Sequence, residues 1–261
     1  MLPNEQSHFR LSNRKRYMSV VVTQESMVVP FDDIIRGPYT ISSRGAISDE
    51  QATRLVQVLQ AGGDVSPNGV LGGRGRTLSV EIEGLGSVFV KRYSHGGLFR
   101  AFSGGLFLCV GPCRSQEEFE MLEFVRSIGV SAPRPIAFIK KGSTVFSTWL
   151  VMEELSQVQS LVELQKSEGE ELHRAMDQLA LQVGILIKHK VLHVDLHPGN
   201  VLVSSAGQVC VVDFDKACHF RGSERALREL YLRRWRRAVI KHHLSPLLSE
   251  MMCLTLRSSN E

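Results

Sequence analysis

The pattern of apolar and polar positions is strand-like in the first half of the chain. Alternating segments at 76–83 and 87–93 flank a glycine-containing turn and predict a β-hairpin. A second hairpin is predicted across 134–155, with its turn at Lys141 and Gly142. Antiparallel strands are therefore expected to dominate this half.

Apolar residues at helical spacing predict helices around and after these hairpins. Ser48 and Gln51 form a capping-box pair that starts a short helix. The stretch "RSQEEFEMLEFVRSIGV" has the spacing of a second helix, and Gly129 is suited to end it. Further along, a long helix is predicted across 171–193 and an amphipathic basic helix closes the chain at about 223–243. The later half is therefore expected to be mainly helical.

Composition indicates an ordinary globular chain, but its charge is unevenly placed. The 261 residues are 43% hydrophobic and 22% charged, with a net charge of +4, which suits one large domain or two small lobes. Between residues 220 and 243 there are eight Arg and Lys against two Glu. This segment is either a solvated face or a contact for an anionic partner.

Cysteine usage and the lack of long apolar runs predict a cytoplasmic chain. The five cysteines are scattered and lack the paired spacing of a zinc site, which favours reduced thiols. No apolar run approaches the roughly 20 residues that span a bilayer, and the N-terminus lacks an apolar signal-peptide core. Peripheral contact with the inner face of the cytoplasmic membrane is compatible with this pattern.

The segment "HVDLHPGNVLVSSAGQVCVVDFDKA" concentrates polar groups around a short predicted hairpin. Asp195 precedes Asn200 by five residues, as in catalytic loops of the form H-x-D-x-x-x-x-N. Asn200 and Asp213 lie at the two ends of the hairpin, so folding brings their oxygens together as ligands for Mg²⁺. Each residue alone is also a common turn former. Together with His193, their spacing favours a phosphoryl-transfer site.

The upstream hairpin supplies groups that a nucleotide requires. Three glycines stand at its entrance, where backbone N–H groups can approach phosphate oxygens: Gly72, Gly73 and Gly75. Lys91, on the second strand, has the position from which kinases contact the α- and β-phosphates. We expect Glu118 on the following helix to orient this lysine, with Glu117 as the alternative.

The stretch "LVMEEL" is predicted to connect two lobes. There the Glu153 carbonyl and the Leu155 amide are expected to bind adenine through the backbone. The predicted parts of the site therefore follow one another along the chain in the order found in kinases. This order is glycines, lysine, helical glutamate, connector, catalytic loop and metal aspartate. A P-loop NTPase is excluded by the lack of a G-x-x-x-x-G-K-[ST] stretch.

The two loop histidines allow other interpretations. A metal hydrolase would use His193, Asp195 and His197 as ligands, but no other histidine motif completes such a set. We expect His193 instead to hold the loop through a bond from its ring to the backbone near Asp213. His197 either contacts the acceptor or only caps the turn.

Three stretches resemble the bacterial lipopolysaccharide-core kinase family of the protein-kinase-like superfamily, which phosphorylates Kdo or heptose sugars. They are "VFVKRYSHGGLFRAFSGGLFLCVGPCRSQEEFEML", "VSAPRPIAF" and "HVDLHPGNVLV…VVDFDKA", and the resemblance runs from about 72 to 241. It implies an α+β, two-lobed protein-kinase-like fold. The N-lobe would be an antiparallel sheet plus one helix, and the C-lobe would be reduced and mainly helical.

The resemblance also implies the chemistry and the partners. The implied activity is transfer of the γ-phosphoryl group of ATP, with Mg²⁺, to a sugar hydroxyl of a lipid-linked core sugar. Lys91 is implied on the phosphates with Glu118 as its partner, Asp195 as the base, and Asn200 and Asp213 on magnesium. A monomer that binds no nucleic acid is expected, with an anionic membrane surface as a candidate contact.

The chain departs from protein kinases in ways that bear on its acceptor. Val194 replaces the arginine of H-R-D, Asp215 replaces the glycine of D-F-G and is implied as an accessory acid, and only 48 residues follow Asp213. A small or glycan acceptor is therefore favoured over a peptide. An aminoglycoside- or choline-type kinase and an ATP-binding pseudokinase are the alternatives, and a nucleic-acid binder would lack the usual stacking motif.

The domain organisation follows from the change of pattern near residue 155. We predict a partly disordered N-terminal extension at 1–45, an N-lobe at 46–155 and a C-lobe at 156–261 that includes the basic helix. That helix and the stretch "GGLFRAFSGGLFLCV" are the candidate contacts with a membrane or the acceptor.

Overall fold

The computed structural model describes most of the chain in seven ranges: 29–45, 47–61, 77–93, 107–108, 113–142, 145–167 and 169–258. The three glycines predicted to approach phosphate lie outside these ranges: Gly72, Gly73 and Gly75. Most of the stretch "GGLFRAFSGGLFLCV" and the first 28 residues also lie outside them.

Seven antiparallel strands of the first half form one sheet. They are β1 (Asp32–Arg36), β2 (Tyr39–Ser43), β3 (Thr77–Ile82), β4 (Gly86–Arg92), β5 (Phe107–Leu108), β6 (Pro135–Lys141) and β7 (Val145–Glu153). Their order across the sheet is β1-β2-β6-β7-β4-β3, and β5 pairs with β7. The two predicted hairpins, β3–β4 and β6–β7, are confirmed. Positive φ angles at Gly84 and Gly142 show why glycine occupies their turns.

The hairpin β1–β2 lies where the sequence predicted an N-terminal extension. Strand β2 pairs with β6, and the side chains of Tyr39 and Ile41 are buried in the core. Residues 32–43 are therefore part of the sheet rather than of an extension. The pattern was weak here because each strand has only five residues, and the turn at Gly37 and Pro38 interrupts the alternation.

Two helices cover opposite faces of the sheet. Helix α1 is Asp49–Gln60 and begins with the predicted capping box of Ser48 and Gln51. Helix α2 is Arg114–Ser127, and Gly129 follows its end with a φ of +94°. Both helices lie where the local pattern predicted them, whereas the expected N-lobe fold had only one helix beside its sheet.

The alternation of β4 determines which helix Lys91 faces. Val88 and Val90 pack in the cluster that includes α1, whereas Phe89 packs against the cluster that includes α2. Because successive strand residues point to opposite faces, Lys91 lies on the face that α2 covers.

The second half of the chain contains four α-helices among the described residues. They are α3 (Leu161–Leu164), α4 (Glu170–Lys188), α5 (Glu224–Lys241) and α6 (Leu247–Ser258), with short 3-10 turns at Gln165–Ser167 and Pro198–Asn200. Five short strands complete this half: β8 (Val158–Ser160), β9 (Val191–Leu192), β10 (Val201–Ser204), β11 (Val209–Val211) and β12 (Cys218–His219). They form a three-stranded sheet, β11-β10-β8, and a two-stranded sheet, β12-β9.

Helix α5 lies where the sequence predicted it, but the predicted helix across 171–193 ends earlier, at Lys188, and Val191–Leu192 forms β9 instead. The chain also does not close with α5. The buried residues of α5 are Leu227, Tyr231, Trp235 and Val239. The prediction missed α6, which packs on α4 and α5. The indole N–H of Trp235 donates to the Leu248 carbonyl at 3.0 Å, so α6 is held by α5. Tertiary packing rather than a strong local pattern makes this last helix.

One apolar core runs from α2 into the helical half. It includes Phe119 on α2, Leu150 on β7, Leu179 on α4 and Tyr231 on α5. The face of the sheet that carries Lys91 is therefore joined to the elements that carry the predicted catalytic loop. Among the helices that the structure describes, none is long and apolar enough to cross a membrane.

Candidate active site

Lys91 lies at the centre of an ion-pair cluster between the sheet and the segment after β11. Its Nζ atom is 2.8 Å from Glu118 Oε2 and 2.6 Å from Asp213 Oδ1. The side chain of Glu118 is only 1% exposed, whereas Glu117 points to solvent. The pairing of Lys91 with Glu118 rather than Glu117 agrees with the sequence prediction.

The two carboxylates keep Lys91 charged. Burial by itself lowers the pKa of Lys91, but the negative charges of Glu118 and Asp213 outweigh this effect and raise the pKa above its usual value. Burial likewise raises the pKa of Asp213, but the Lys91 ammonium outweighs it and the pKa is lowered. The hydroxyl of Tyr93 donates to Glu118 Oε2, a contact that the sequence did not predict.

Asp213 reaches Lys91 because the chain turns sharply after β11. Its φ of +65° lies in the left-handed region, which Asp tolerates better than most residues. The N–H of the preceding residue, Val212, donates to the Asn200 carbonyl at 3.0 Å. The hairpin therefore places Asn200 and Asp213 at the same end, as their spacing predicted.

His193 anchors the loop through its ring and its backbone. The ring Nε2–H donates to the Val212 carbonyl at 3.0 Å, and the ring packs edge-on against Phe214. Burial lowers the pKa of His193, which favours the neutral form of the ring. The backbone N–H of His193 donates to the Tyr231 hydroxyl, which donates to the Val191 carbonyl. This is the role in the loop that the sequence predicted.

The alternative of a His-x-Asp-x-His metal site does not agree with these contacts. The ring of His193 bonds to backbone, and Nδ1 of His197 accepts the Gly199 N–H at 3.1 Å. Within the described ranges, no group of three or more His, Cys, Asp or Glu side chains is arranged to hold a metal ion.

Asp195 lies on the loop between β9 and the turn Pro198–Asn200. Its Oδ2 atom is 2.7 Å from Nζ of Lys216, the residue after the D-F-D motif. The side-chain amide of Asn200 donates from Nδ2 to the Asp195 carbonyl at 3.0 Å. The sequence did not predict Lys216 as a partner of Asp195, because an exposed lysine next to a functional motif is common in proteins.

His197 caps the turn and also extends beyond it. A Cβ atom on Gly199 would lie 3.0 Å from Cε1 of His197, so glycine allows the ring to approach the backbone closely. The ring centroid of His197 is 5.9 Å from that of His242, which follows α5. Burial, followed by the charge of His242, lowers the pKa of His197.

Asp215 is held by Arg114. Nε of Arg114 is 3.0 Å from Asp215 Oδ1, and Nη2 contacts Oδ2. Arg114 is the first residue of α2, which carries Glu118. The ion pair therefore links α2 to the D-F-D segment. Asp215 therefore has a positioning contact, and its expected role as an accessory acid stays a prediction.

The connector begins at the end of β7. The carboxylate of Glu153 accepts the Arg134 N–H at 2.7 Å, and the Glu153 N–H donates to the Arg134 carbonyl at 2.9 Å. Leu155 packs against a small apolar cluster formed by Leu202, Cys210 and Val212. The predicted adenine contacts use the Glu153 carbonyl and the Leu155 amide, and they stay a prediction.

The side-chain oxygens at the end of the β10–β11 hairpin fit magnesium. The amide nitrogen of Asn200 donates to the Asp195 carbonyl, so Oδ1 is the atom of this side chain that could bind a metal ion. Asp213 uses Oδ1 for Lys91 and retains Oδ2. Carboxylate and amide oxygens are the hard ligands that Mg²⁺ prefers. Asn200 and Asp213 therefore suit this ion.

The sequence matches the model of the lipopolysaccharide kinase (Kdo/WaaP) family over residues 65–248. This stretch contains the ion-pair cluster, the catalytic loop and α5, and it is well over half of the chain. The chain belongs to this family. Membership assigns it to the kinases, which are phosphotransferases, as the sequence predicted. The family that the chain belongs to is therefore not that of the aminoglycoside- or choline-type kinases.

Three similar proteins from other bacteria share the same name. The chain is similar to "3-deoxy-D-manno-octulosonic acid kinase" of Vibrio cholerae serotype O1, with 31% identity over 149 residues, 55% of this chain and 62% of that protein. A protein of the same name from Xylella fastidiosa is 26% identical over 69% of this chain and 68% of its own length. A third, from Photobacterium profundum, is 29% identical over 69% and 79%.

Loss of the Arg114–Asp215 ion pair is expected to weaken stability and phosphoryl transfer together. Because one partner is largely buried and the contact is bidentate, a double-mutant cycle with Arg114→Ala and Asp215→Ala should give a coupling energy of about 1–2 kcal/mol. Urea unfolding measures it, and kcat should fall in each single variant because α2 positions Glu118.

The exposed pair of Arg174 and Glu170 on α4 is the matched control for this cycle. Its coupling energy should be only about 0.3–0.5 kcal/mol, and its loss should leave kcat unchanged. Equal coupling energies for the two pairs would contradict the positioning role of Asp215.

Proposed function

We propose that this protein is an ATP- and Mg²⁺-dependent kinase that transfers the γ-phosphoryl group to a sugar hydroxyl, most specifically of Kdo in the lipopolysaccharide inner core. The observation that carries the proposal is the Lys91–Glu118–Asp213 cluster beside the loop of Asp195 and Asn200. A strand lysine, a helical glutamate and a metal aspartate are the parts that kinases bring together. The names of the relatives supply the Kdo acceptor, and heptose is the second sugar of this class.

A two-lobed, protein-kinase-like arrangement accounts for the position of this cluster. The sheet with α1 and α2 would be the N-lobe, and α3–α6 with the short strands would be the C-lobe. The Lys91–Asp213 ion pair would then join the lobes at the nucleotide site. The chain between β7 and β8 would be the connector.

The nucleotide base is proposed to lie against the apolar cluster beside the connector. Leu155 meets Leu202, Cys210 and Val212 there, and a flat apolar surface suits an adenine ring. The Glu153 carbonyl and Leu155 amide are proposed to bond its edge. The glycines proposed to cover the phosphates are Gly72, Gly73 and Gly75.

We propose that the charged side chains that bind the phosphates are already in position before ATP binds. Lys91, kept charged by Glu118 and Asp213, would contact the α- and β-phosphates. Asn200 and Asp213 would hold Mg²⁺ through side-chain oxygens. When bound, Mg²⁺ neutralises charge on the transferring phosphoryl group. The bond from Lys91 to Asp213 Oδ1 orients this carboxylate before a ligand arrives.

Asp195 is proposed to orient the acceptor hydroxyl and to take its proton. The hydroxyl oxygen forms a bond to the γ-phosphorus while the bond from that phosphorus to the bridging oxygen breaks, which leaves ADP. The bond from Asn200 to the Asp195 carbonyl holds the loop for this step. Lys216 contacts the same carboxylate and would share it with the acceptor hydroxyl.

We further propose a cytoplasmic monomer that contacts the inner face of the cytoplasmic membrane through α5. Arg233, Arg236 and Arg237 are exposed on α5 together with Ile240, a combination that suits an anionic lipid surface. Sedimentation with vesicles should show binding to anionic but not to neutral vesicles, with loss at high salt. Equal binding to both would contradict this contact.

Transfer of labelled γ-phosphate from ATP to Kdo-bearing lipid A tests the proposed function. We expect a singly phosphorylated product that requires Mg²⁺ and disappears with a chelator. Mass analysis of core oligosaccharide from a strain lacking the protein should show the loss of one phosphate. Absence of transfer together with an unchanged oligosaccharide would exclude this function.

A further inference from the structure

The basic end of α5 comes to the reaction centre. Helix α5 packs on the turn Pro198–Asn200, and the ring of His242 lies 5.9 Å from the ring of His197. Lys241 is the last residue of α5 and directly precedes His242, and both side chains are exposed. The end of α5 therefore brings His242, with Lys241 next to it in the chain, beside the loop that carries Asp195.

Lys241 is the cation of this group that lacks an acidic partner. Within the described part of the chain, Lys241 forms no ion pair, and Lys91 and Lys216 account for the charges of Asp213 and Asp195. The sequence has no Asp or Glu between residues 230 and 249. A positive charge without a counter-charge, next to a site for anionic substrates, favours binding of an anionic oxygen.

His197 contributes a defined donor to the same place. Its Nδ1 atom accepts the Gly199 N–H at 3.1 Å, so in the neutral ring the proton lies on Nε2. Among the described residues, Nε2 of His197 has no hydrogen-bond acceptor. The ring therefore has an N–H to offer to a ligand, while its other nitrogen fixes its orientation.

The end of α5 is held rigidly, as a binding site requires. The Leu244 N–H donates to the Val239 carbonyl at 3.0 Å and closes the last turn. The Ser245 N–H donates to Gln165 Oε1 at 3.0 Å. Lys241 and His242 therefore extend from a fixed backbone, which lowers the cost of ordering them around a ligand.

We propose that His197, Lys241 and His242 form a subsite for the carboxylate of the acceptor sugar, which turns the reacting hydroxyl towards Asp195. This inference rests on the proposed function. The relatives are named for an octulosonic acid, so their acceptor carries a carboxylate as well as hydroxyls. The γ-phosphate of ATP offers the same chemistry, an anionic oxygen, and the test below separates the two sources.

The test compares the acid acceptor with its neutral amide in the wild type and in Lys241→Ala. The variant should raise the KM for the acid about tenfold, the value for one exposed charge-assisted contact of about 1.4 kcal/mol. The KM for the amide and the KM for ATP should not change. Lys241→Arg should restore most of the affinity for the acid, and His242→Gln should weaken it in the same direction.

Two outcomes overturn the subsite. An equal rise in KM for acid and amide would mean that Lys241 does not meet the carboxylate. A rise in the KM for ATP alone would assign the anion to the γ-phosphate. Lys188→Ala is the matched control, because Lys188, like Lys241, is the exposed last residue of its helix. It should leave all three constants unchanged.

Transfer by the wild-type protein to the acid and to the amide distinguishes a failure of this inference from a failure of the proposed function. No transfer to either acceptor would contradict the proposed function itself. Transfer to acid and amide with the same KM would leave that function standing and overturn only the carboxylate subsite.

Discussion

Replacement of Asp195 by alanine is expected to abolish phosphoryl transfer and to leave ATP affinity nearly intact. Asp195 is the proposed base for the acceptor hydroxyl, and loss of a general base typically lowers the rate by about 10²–10⁴-fold. Its carboxylate contacts Lys216 and no phosphate-binding group of the described chain. Steady-state transfer measures kcat, and nucleotide titration measures the ATP affinity.

Two variants make this result specific. Asp195→Asn keeps the shape of the side chain and should be nearly as inactive as the alanine variant, because an amide does not accept the proton. Glu171→Ala removes an exposed acid at the start of α4 and should retain full activity. Full activity in Asp195→Ala would remove Asp195 from the mechanism.

Replacement of Lys91 by methionine is expected to lower both activity and stability. Loss of its contact with the phosphates should reduce kcat/KM for ATP by about 10²–10³-fold. The variant also leaves the buried carboxylate of Glu118 without its cation, which should cost about 3–5 kcal/mol of the free energy of unfolding. Urea unfolding measures the second effect independently of catalysis.

The double variant Lys91→Met/Glu118→Gln separates the two effects. Removal of the buried charge on Glu118 should recover much of the stability, because a neutral amide can still accept the Tyr93 hydroxyl. Activity should not recover, since the phosphates still lack the lysine. A double variant as unstable as the single one would show that Lys91 does not compensate the charge of Glu118.

Elements with a strong local period were predictable from the sequence. The hairpins β3–β4 and β6–β7 combine alternation with turn glycines, and α1 begins with a capping box. The hairpin β1–β2 and helix α6 lack such signals. The first has short strands that depend on pairing with β6, and the second is stabilised by contacts with α4 and α5. Their formation therefore depends on partners that a local pattern does not contain.

The contacts of the candidate site also divide into those that the sequence could predict and those that it could not. Alternation along β4 and the helical face of α2 make the Lys91–Glu118 pair predictable, although 27 residues separate the two. Arg114 and Asp215 are 101 residues apart, and no period relates them. The contact of His197 with His242 likewise depends on how α5 packs across the loop. Sequence motifs could locate these residues but not pair them.

The sequence by itself therefore determined the two long hairpins, helices α1, α2 and α5, the motifs that predict phosphoryl transfer and the resemblance to the kinase family. These features depend on the spacing of residues along the chain, and local periodicity and turn-forming residues indicate that spacing directly. Only the tertiary structure decided that Asp215 pairs with Arg114, that Lys216 meets Asp195, and that the end of α5 reaches His197. Those contacts join distant segments, and packing of the apolar core sets their geometry.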